Sequence, residues 1–531
     1  MEVILKNPLL ALLVLVSLAP AQSVRWIYAY NGPASGWDQA WQVLPAPDGL
    51  YVCGDAQANS IPLSFDMTVI SLDDTGSQRW TYRYNGPGGY VDQAYDIAQG
   101  GNRTLFVGGS SWSLATSNDF TVLGVSDSGT ARWNWRVADT GIGICRAVAA
   151  DPQGNAIACG TVNDYGAFKV VSLTPTGMPR WQYQYPSLPG QAMAIAADTR
   201  GRSYAAGYLT TSDSTSDFEV VGLDSSGDQF FDIGMVGSRL DSAVAVTVGP
   251  DGWVYAAGHV FSPSGPDIAV MAVNPDTPAV NWFRTYDFGG VGDMARGVAA
   301  TSDGNVYVSA LTWLPDSAGM AFLVLGIDHE GDLRWTYSDT GLRAMAPNIA
   351  SGITTDPDGN VYASGMVAGD ANTHMDAAVV SLSSAGDLRW RYIYARSDTG
   401  MDMLGSIERG PDGNLYACGL TGDPPNSDWL VVSLTAAGAV REIRAGRPES
   451  KFSVSTFLDD VIAVRCSAPR AEPLRATLCD ASGRLVAALD ASSSQVRTEF
   501  RDERISRLGS GVYLLRLEAG RESAQFKLIK P

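Results

Sequence analysis

The sequence has few of the residues that carry out most enzyme chemistry. Its 531 residues include only three histidines and six cysteines. His259, His329 and His374 lie far apart in the chain and do not have the spacing of metal ligands. No Gly-x-Ser-x-Gly motif stands between a predicted strand and a predicted helix. The sequence therefore predicts no catalytic site and no cofactor site.

Basic residues and long apolar runs are also scarce. Lysine and arginine number 37 against 56 acidic residues, so the net charge is −19, which argues against a nucleic-acid or anionic-membrane partner. The apolar run from Leu9 to Leu18 is too short to span a membrane. It follows Lys6 and precedes Ala19-Pro20-Ala21, the pattern of a secretory signal peptide over residues 1–21. We expect an exported protein that is not an integral membrane protein.

A β-hairpin pattern recurs throughout residues 25–444, where helical periodicity is absent. In "DPDGNVYASG" (356–365), Gly359 comes too early for an EF-hand loop, whose glycine is at the sixth position. The stretch instead predicts a turn, with Gly359 in the left-handed conformation, followed by a strand. Seven related turns lie at 46–54, 100–109, 151–160, 198–207, 250–258, 302–310 and 411–419.

A second element follows each turn: an aspartate, an apolar run, a glycine and a large aromatic residue, as in "DMTVISLDDTGSQRW" (66–80). The aromatic markers, about fifty residues apart, are Trp26, Trp80, Trp133, Trp181, Phe231, Trp282, Trp335 and Trp390. Several short strands at this period predict an all-β propeller, with the aromatic packed between neighbouring blades. Residues 25–30, "RWIYAY", have a fourth-strand pattern but no preceding unit. We therefore predict an eight-bladed β-propeller over residues 22–444 whose N-terminal strand closes the last blade.

Two family resemblances follow from these motifs. The "DGNxYxxG … DxxVVxL" repeat resembles bacterial propeller repeats of the SBBP type, found in secreted and surface proteins. Residues 72–80, "LDDTGSQRW", resemble the tryptophan-docking motif of quinoprotein-like propellers. Both resemblances imply the fold, whereas the function stays open because propellers support many activities.

Residues 445–531 depart from the repeat. "LRATLCDASGRLVAAL" (474–489) predicts two strands joined by a turn, and residues 507–531 predict a closing hairpin. These segments resemble the C-terminal sorting domain of the type IX secretion system, a small immunoglobulin-like β-sandwich, at Asp480, Gly483, Arg484, Gly511, Val512, Tyr513 and Lys530. The resemblance implies contact with the secretion machinery and a secreted or cell-surface location. The alternative is an ordinary terminal β-sandwich that binds a carbohydrate or a partner.

The cysteines are predicted to be mostly packing residues. Cys53, Cys159 and Cys418 stand at one strand position, where other units have alanine, glycine or serine. Two disulfides, Cys145–Cys159 and Cys466–Cys479, remain as alternatives.

Two sets of carboxylates recur. One opens the third strand of its unit: Asp66, Asp119, Asp217, Asp267, Asp376 and Asp428. The other precedes the first strand: Asp38, Asp92, Asp241, Asp293 and Asp402. The second set would lie near one rim of the channel, either as a cation or ligand site, with calcium as the candidate ion, or as loop caps. The sequence favours caps, because a unique site usually breaks the symmetry of a repeat.

The loops between second and third strands vary in length and chemistry. Trp112, Phe261 and Trp313 lie in them and are candidate binding residues, unless each packs beneath its own loop. The sequence as a whole favours a non-enzymatic scaffold that binds an extracellular protein or glycan. The alternative is an extracellular enzyme, a hydrolase or a quinone-linked dehydrogenase, with its site on the propeller axis.

Overall fold

The structure is a computed structural model that divides into two compact units, Met1–Arg444 and Ala445–Pro531. It describes residues 24–60, 63–138, 141–163, 166–211, 215–235, 239–288, 291–314, 319–341, 346–369, 375–396, 400–422, 426–436, 443–445, 452–454, 461–466, 474–480, 484–491, 497–501, 511–519 and 522–530. Within these ranges, no helix is long and apolar enough to cross a membrane. The predicted signal peptide, residues 1–21, lies outside them.

The first unit is a series of eight antiparallel sheets within the described residues, seven with four strands and one with five. Sheets 1 to 4 consist of β2 (Asp38–Ala46), β3 (Gly49–Ser60), β4 (Leu63–Asp73) and β5 (Gln78–Tyr84); β6 (Asp92–Gln99), β7 (Thr104–Ser113), β8 (Ser117–Ser126) and β9 (Ala131–Val137); β10 (Ile144–Ala150), β11 (Ala156–Val162), β12 (Ala167–Leu173) and β13 (Pro179–Gln184); β14 (Gly190–Ala197), β15 (Ser203–Thr210), β16 (Ser216–Leu223) and β17 (Gln229–Met235).

Sheets 5 to 8 repeat this order along the chain. They consist of β18 (Ser242–Val248), β19 (Val254–Ser262), β20 (Gly265–Asn274) and β21 (Ala279–Tyr286); β22 (Asp293–Ala300), β23 (Val306–Trp313), β24 (Met320–Ile327) and β25 (Leu333–Asp339); β26 (Ile349–Thr355), β27 (Val361–Val367), β28 (Asp376–Leu382) and β29 (Leu388–Tyr394), with β33 (Ile443–Ala445) as a fifth strand; and β30 (Met401–Arg409), β31 (Leu415–Gly422), β32 (Asp428–Leu434) and the N-terminal β1 (Val24–Tyr30).

Neighbouring sheets meet through their first strands, and the last sheet meets the first. Each first strand contacts the first strand of the next sheet, and β30 contacts β2. In sheet 8, β1 pairs antiparallel with β32. Arg25 donates hydrogen bonds to the Tyr416 hydroxyl (2.9 Å) and to Ser433 Oγ (3.1 Å), which fixes β1 against its sheet. The arrangement is propeller-like, and the N-terminal strand β1 belongs to the same sheet as β30, β31 and β32.

The predicted turn at residues 356–360 is confirmed. Gly359 has φ of 76°, and its N–H donates to the Asp356 carbonyl at 3.0 Å. The Asp356 carboxylate accepts hydrogen bonds from the backbone N–H of Asn360 (2.9 Å) and from the Tyr362 hydroxyl (2.8 Å). Burial acts to raise the pKa of Asp356, but these bonds outweigh it and the pKa is lowered. The aspartate is committed to the turn.

The marker tryptophans dock onto the adjacent sheet. Trp80 donates its indole N–H to the Asp127 carbonyl at 2.9 Å, and a Cβ on Gly129 would lie 2.6 Å from the Trp80 ring. The corresponding indole bonds are Trp26 to Asp74, Trp133 to Pro175, Trp181 to Ser225, Trp282 to His329 and Trp335 to Ser384. The recurrent glycine thus makes its turn and also leaves room for the neighbour's indole ring. The predicted packing role of the tryptophans is confirmed.

The cysteines bear out the packing prediction and correct its alternative. Cys53, Cys145, Cys159 and Cys418 are free and buried. Burial raises the pKa of each of these thiols, because a thiolate is poorly solvated in an apolar interior. The alternative Cys145–Cys159 disulfide is wrong. Cys479 is also free, so the bridge to Cys466 is wrong as well.

The second unit contains two antiparallel sheets. One has the order β34-β35-β38, from β34 (Phe452–Val454), β35 (Val461–Cys466) and β38 (Arg497–Arg501). The other has the order β37-β36-β39-β40, from β36 (Leu474–Asp480), β37 (Leu485–Ala491), β39 (Gly511–Ala519) and β40 (Glu522–Lys530). Leu474, Ala476 and Leu478 are buried at alternate positions of β36, as expected for a strand with one core-facing side. Gly483 lies outside the described residues.

Candidate ligand-binding site

The five candidate axial carboxylates lie in five separate junctions between sheets. Each side chain is buried, and four of them accept a backbone N–H from the loop that leads into their strand. These bonds are Gly32 to Asp38 (2.5 Å), Gly86 to Asp92 (2.6 Å), Phe288 to Asp293 (2.8 Å) and Arg396 to Asp402 (2.7 Å). Asp241 accepts the N–H of Phe261 at 2.7 Å. Loop capping accounts for the repetition of the aspartate.

Each junction also receives the third-strand aspartate of the preceding sheet. Phe65 and Val91 form a short parallel bridge immediately before Asp66 and Asp92, and Met375 and Met401 do the same before Asp376 and Asp402. Burial raises the pKa of Asp92, and the charge of Asp66 adds to this effect. Carboxylates from neighbouring units therefore meet in pairs, which the two sequence patterns taken separately do not reveal.

In three sheets, another residue occupies the position of the first-strand aspartate. Gly143 and Gly190 stand at its position in sheets 3 and 4, and Asn348 stands there in sheet 7. Asn348 keeps the capping function, because its Oδ1 accepts the N–H of Ala368 at 2.6 Å. The two glycines provide no side chain, so the rim is more open at sheets 3 and 4.

The candidate loop aromatics are half-buried and lie on three different sheets. The Trp112 ring packs edge-on against Tyr90 with centroids 4.7 Å apart. Phe261 packs against His259 at 5.9 Å. The Trp313 backbone N–H donates to the Gly292 carbonyl at 2.9 Å. Trp112 and Phe261 each pack on a neighbouring ring, and the structure does not bring the three together in one surface.

A β-bulge occurs at the same position of every first strand. The pairing register shifts there in all eight sheets, leaving one residue unpaired: Trp41, Tyr95, Arg146, Met193, Val244, Arg296, Ser351 and Gly405. We call these residues the bulge ring. Bulges re-aim side chains and are frequent next to functional sites. The bulge occupies the same position in every sheet, but the side chain of the unpaired residue differs in size and charge. The bulge ring is therefore a position at which the sheets differ chemically from one another.

Three members of the bulge ring form a continuous row across sheets 1 to 3. The Trp41 and Tyr95 rings meet edge-on with centroids 5.9 Å apart, and the Arg146 guanidinium lies 5.5 Å from the Tyr95 ring centre. The Trp41 indole N–H donates to Asp55 at 2.5 Å, and the Tyr95 hydroxyl donates to Gln93 at 3.1 Å. Trp41 remains 36% exposed, unusually for an indole in this fold. The row presents aromatic faces beside a cation.

Arg146 is the cation of the row and also lines a cavity of about 390 Å³ at sheets 3 and 4. Its Nε is buried without a hydrogen-bond acceptor among the described residues. Polar neighbours around the cavity are Thr161, Asn163, Gln191, Tyr208 and Thr210. Gly190 borders the same space, where other sheets carry an aspartate. A half-buried guanidinium whose Nε has no acceptor among the described residues, in a cavity with polar walls, is suited to an anionic group.

Three further carboxyl groups have strongly shifted titrations. Burial raises the pKa of Asp55, of Asp96 and of Glu408 to about 7 each. Asp96 follows Tyr95 directly and accepts the N–H of Val148 at 2.8 Å. The charge of Asp96 also raises the pKa of Glu408. Two first strands thus each carry an acid whose pKa is raised to about 7.

The histidines form no shared site in the described part of the chain. Burial, followed by the nearby Arg296 charge, lowers the pKa of His259 to about 4, so this side chain is neutral at physiological pH. His329 is an exposed turn residue, and its carbonyl accepts the Trp282 indole. His374 lies outside the described residues.

Some solved structures are similar to this chain at low sequence identity. No protein-family model and no curated protein matches the chain. Among solved structures, the chain is similar to Sqt1 of Chaetomium thermophilum bound to the N-terminus of ribosomal protein L10, with 13% identity over 77% of this chain and 98% of that one, TM-score 0.49. It is similar to the Pan2 WD40 domain of Neurospora crassa, with 11% identity over 64% and 88%, TM-score 0.39. PorZ, a surface component of the type IX secretion system of Porphyromonas gingivalis, matches at 9% identity over 95% and 100%, TM-score 0.23.

Proposed function

We propose that this chain is an exported, non-enzymatic binding protein. Residues 22–444 form an eight-bladed propeller that presents the binding site, and residues 445–531 form a sorting domain. The observation that carries the proposal is the row Trp41–Tyr95–Arg146 beside the cavity at sheets 3 and 4. Ligand sites are concave, with aromatic walls and a few converging polar groups, and this region has each of those properties.

The ligand class follows from the donor set. Arginine recognises carboxylates through paired N–H donors, and the amides of Asn163 and Gln191 provide further donors and acceptors. The exposed Trp41 ring offers a flat face on which a sugar ring can stack. These groups together fit an acidic sugar residue. The net charge of −19 opposes long-range attraction of anions, so recognition depends on short-range contacts, which salt screens little.

A binding measurement with the full chain tests this function. We expect acidic oligosaccharides to bind and neutral ones of equal length to bind more weakly. Arg146→Ala should lower the affinity for the acidic ligand about 10- to 100-fold, because hydrogen bonds to a charged group contribute about 1.5–3 kcal/mol. Arg296→Ala is the matched control, since it removes the other arginine of the bulge ring, and it should bind normally. Binding of acidic peptides but not sugars, or equal effects of the two variants, would contradict the proposal.

Export rests on the two ends of the sequence. The signal-peptide pattern of residues 1–21 and the sorting-domain resemblance of the last eighty or so residues together favour a mature protein at the cell surface or in the medium. Deleting residues 450–531 should leave the protein in the periplasm. Surface delivery of the truncated chain would show that these residues have another role.

A hydrolase is the second candidate. Asp96 and Glu408 have pKa values of about 7, which suit general acid–base chemistry at neutral pH. Turnover in a broad hydrolase screen that is lost in Glu408→Gln would establish this function. Absence of turnover, together with saturable sugar binding, favours the scaffold.

A further inference from the structure

The junction between sheets 5 and 6 concentrates negative charge. Asp267 lies on β20, Asp287 follows β21, and Asp293 begins β22. One carboxylate oxygen of each lies within 4.8 Å of the other two. Asp267 and Asp293 form no ion pair within the described residues. This trio is distinct from the Arg146 site and independent of the proposed function.

Two other sheets show a cation beside the third-strand aspartate. In sheet 2, Arg136 pairs with Asp119, and in sheet 1, Arg83 lies 4.0 Å from Asp66. Each arginine lies on the fourth strand of its sheet. Its strand partner is the third-strand residue two positions after the aspartate. In sheet 5 this position is Thr285. The balancing cation of sheets 1 and 2 is therefore replaced by a neutral side chain.

Two further substitutions occur only at this junction among those compared. The first is at the residue immediately before the one whose backbone N–H caps the first-strand aspartate. This residue is Asp287 here, whereas other junctions have Asn31, Asn85 and Ala395. The second is at the residue immediately before the third-strand aspartate. In other junctions this residue is Phe65, Ser216 or Met375, and its backbone N–H donates a hydrogen bond across the junction. Here it is Pro266, and proline has no N–H to donate. The junction gains a third carboxylate and loses an inter-sheet hydrogen bond.

Asp293, a member of this trio, keeps one buried carboxylate oxygen without a hydrogen bond to the described residues. Its side chain is fully buried, and its Oδ2 accepts the N–H of Phe288 at 2.8 Å. Thr312 is near enough to lower the pKa of Asp293, but within the described chain Oδ1 receives no hydrogen bond of acceptable geometry. Burial nevertheless raises that pKa, and the charges of Asp287 and Asp267 raise it further. A buried carboxylate oxygen without a donor is costly unless a cation neutralises it.

We propose that Asp267, Asp287 and Asp293 bind one calcium ion that joins sheets 5 and 6. Oxygens that share a calcium ion lie up to about 4.8 Å apart, because each lies about 2.4 Å from the ion. The observed separations meet this limit. Water completes the six to eight ligands that calcium takes. The ion supplies the charge that arginine supplies in sheets 1 and 2 and a cross-link where Pro266 removes the hydrogen bond.

The site should be of moderate affinity. Asp287 is exposed and Asp267 is partly exposed, so solvent competes for the ion. Extracellular calcium modules with such sites have dissociation constants of about 10⁻⁴–10⁻³ M, which suits an exported protein. Magnesium requires shorter distances and near-octahedral geometry, and we expect it to bind more weakly.

Calcium titration of the full chain, stripped with EDTA, tests the site. The readouts are calorimetric binding and the melting temperature. Asp287→Asn is the decisive variant, because asparagine already occupies this position in two other junctions, so the fold should tolerate it. Asp267→Asn serves if the first variant does not fold. Asp66→Asn is the matched control, at the same repeat position in a sheet that has Arg83.

We expect the wild type and Asp66→Asn to bind calcium saturably and to melt at a higher temperature when calcium is present. A hundredfold excess over the dissociation constant should increase the folding equilibrium constant about 100-fold. Asp287→Asn or Asp267→Asn should bind at least tenfold more weakly. No saturable binding by the wild type, unchanged binding in the variants, or an equal response to magnesium would overturn the proposal.

Discussion

The junction between sheets 1 and 2 and the junction between sheets 5 and 6 have the same backbone plan but opposite charge balance. In both, a third-strand aspartate meets the first-strand aspartate of the next sheet, and a loop N–H caps the latter. Arg83 and Asn85 accompany the pair in the first junction, whereas Thr285 and Asp287 stand at those positions in the second. The comparison indicates that the capped aspartate has a structural role in both junctions. Under the calcium proposal, the ion in the second junction replaces the positive charge that Arg83 provides in the first.

The largest expected effect comes from removing a balancing arginine. Arg136→Ala would leave Asp119, whose side chain is fully buried, without its ion-pair partner. We expect the free energy of unfolding to fall by about 3–5 kcal/mol, because an uncompensated buried charge remains. Urea denaturation measures this. Arg103→Ala, which removes an exposed arginine paired with Asp127, should cost at most about 1 kcal/mol. Equal losses in the two variants would mean that the buried arginine is not needed for charge balance.

The next effect comes from giving the junction between sheets 1 and 2 the residues found in the junction between sheets 5 and 6. The double variant Arg83→Thr, Asn85→Asp gives sheets 1 and 2 the side chains of sheets 5 and 6. Asp66 Oδ1 and Asp92 Oδ1 are already buried without hydrogen-bond donors in the described chain. We expect a second calcium ion to bind and, at a hundredfold excess over its dissociation constant, to add about 2.7 kcal/mol to the free energy of unfolding. A stoichiometry that stays at one ion would show that the three carboxylates are insufficient.

A smaller effect concerns pH without calcium. The pKa values of Asp267 and Asp293 are raised in the folded state, chiefly by burial, so between their unfolded and folded pKa values the folded state binds more protons. The free energy of unfolding must therefore fall as pH rises above about 4. Asp287→Asn removes one repelling charge and should make this fall shallower. Denaturation in EDTA from pH 4 to 8 measures the slope. An unchanged or steeper slope in the variant would mean that Asp287 does not act on its neighbours.

The recurrent turns and the tryptophan packing could be predicted from the sequence because they are local. Asp356 and Gly359 determine their turn within five residues, and the glycine–tryptophan spacing recurs in nearly every unit. The two carboxylate patterns are equally visible, but their meeting is not. Asp66 and Asp92 come together only because the last strand of one sheet leads into the first strand of the next, which is a property of the closed arrangement.

The bulge ring could not be predicted for a different reason. The bulge is a one-residue shift between strand partners, and it changes neither composition nor apolar periodicity clearly. "DQAW" and "DQAY" offer a signal in retrospect, since the fourth residue of each is the unpaired one. Arg146 follows Cys145 in a strand without the aspartate, so the analogy is hidden there. The sequence consequently offered loop aromatics on three separate sheets as candidates and did not reveal Trp41, Tyr95 and Arg146.

The position of Val24–Tyr30 in the last sheet has a consequence for biogenesis. Arg25 bonds to Ser433, 408 residues later in the chain, so the first strand has no partner until almost the whole unit exists. A nascent chain can form interior sheets as it emerges, since their contacts are local and fast to form. The pairing of β1 with β32 comes last, because it joins the first strand to be synthesised to one of the last strands of the unit. A prematurely ended chain keeps two unpaired strand edges, which mark it for proteolysis or aggregation. The N-terminal strand can therefore pair only in a chain that has been synthesised as far as β32.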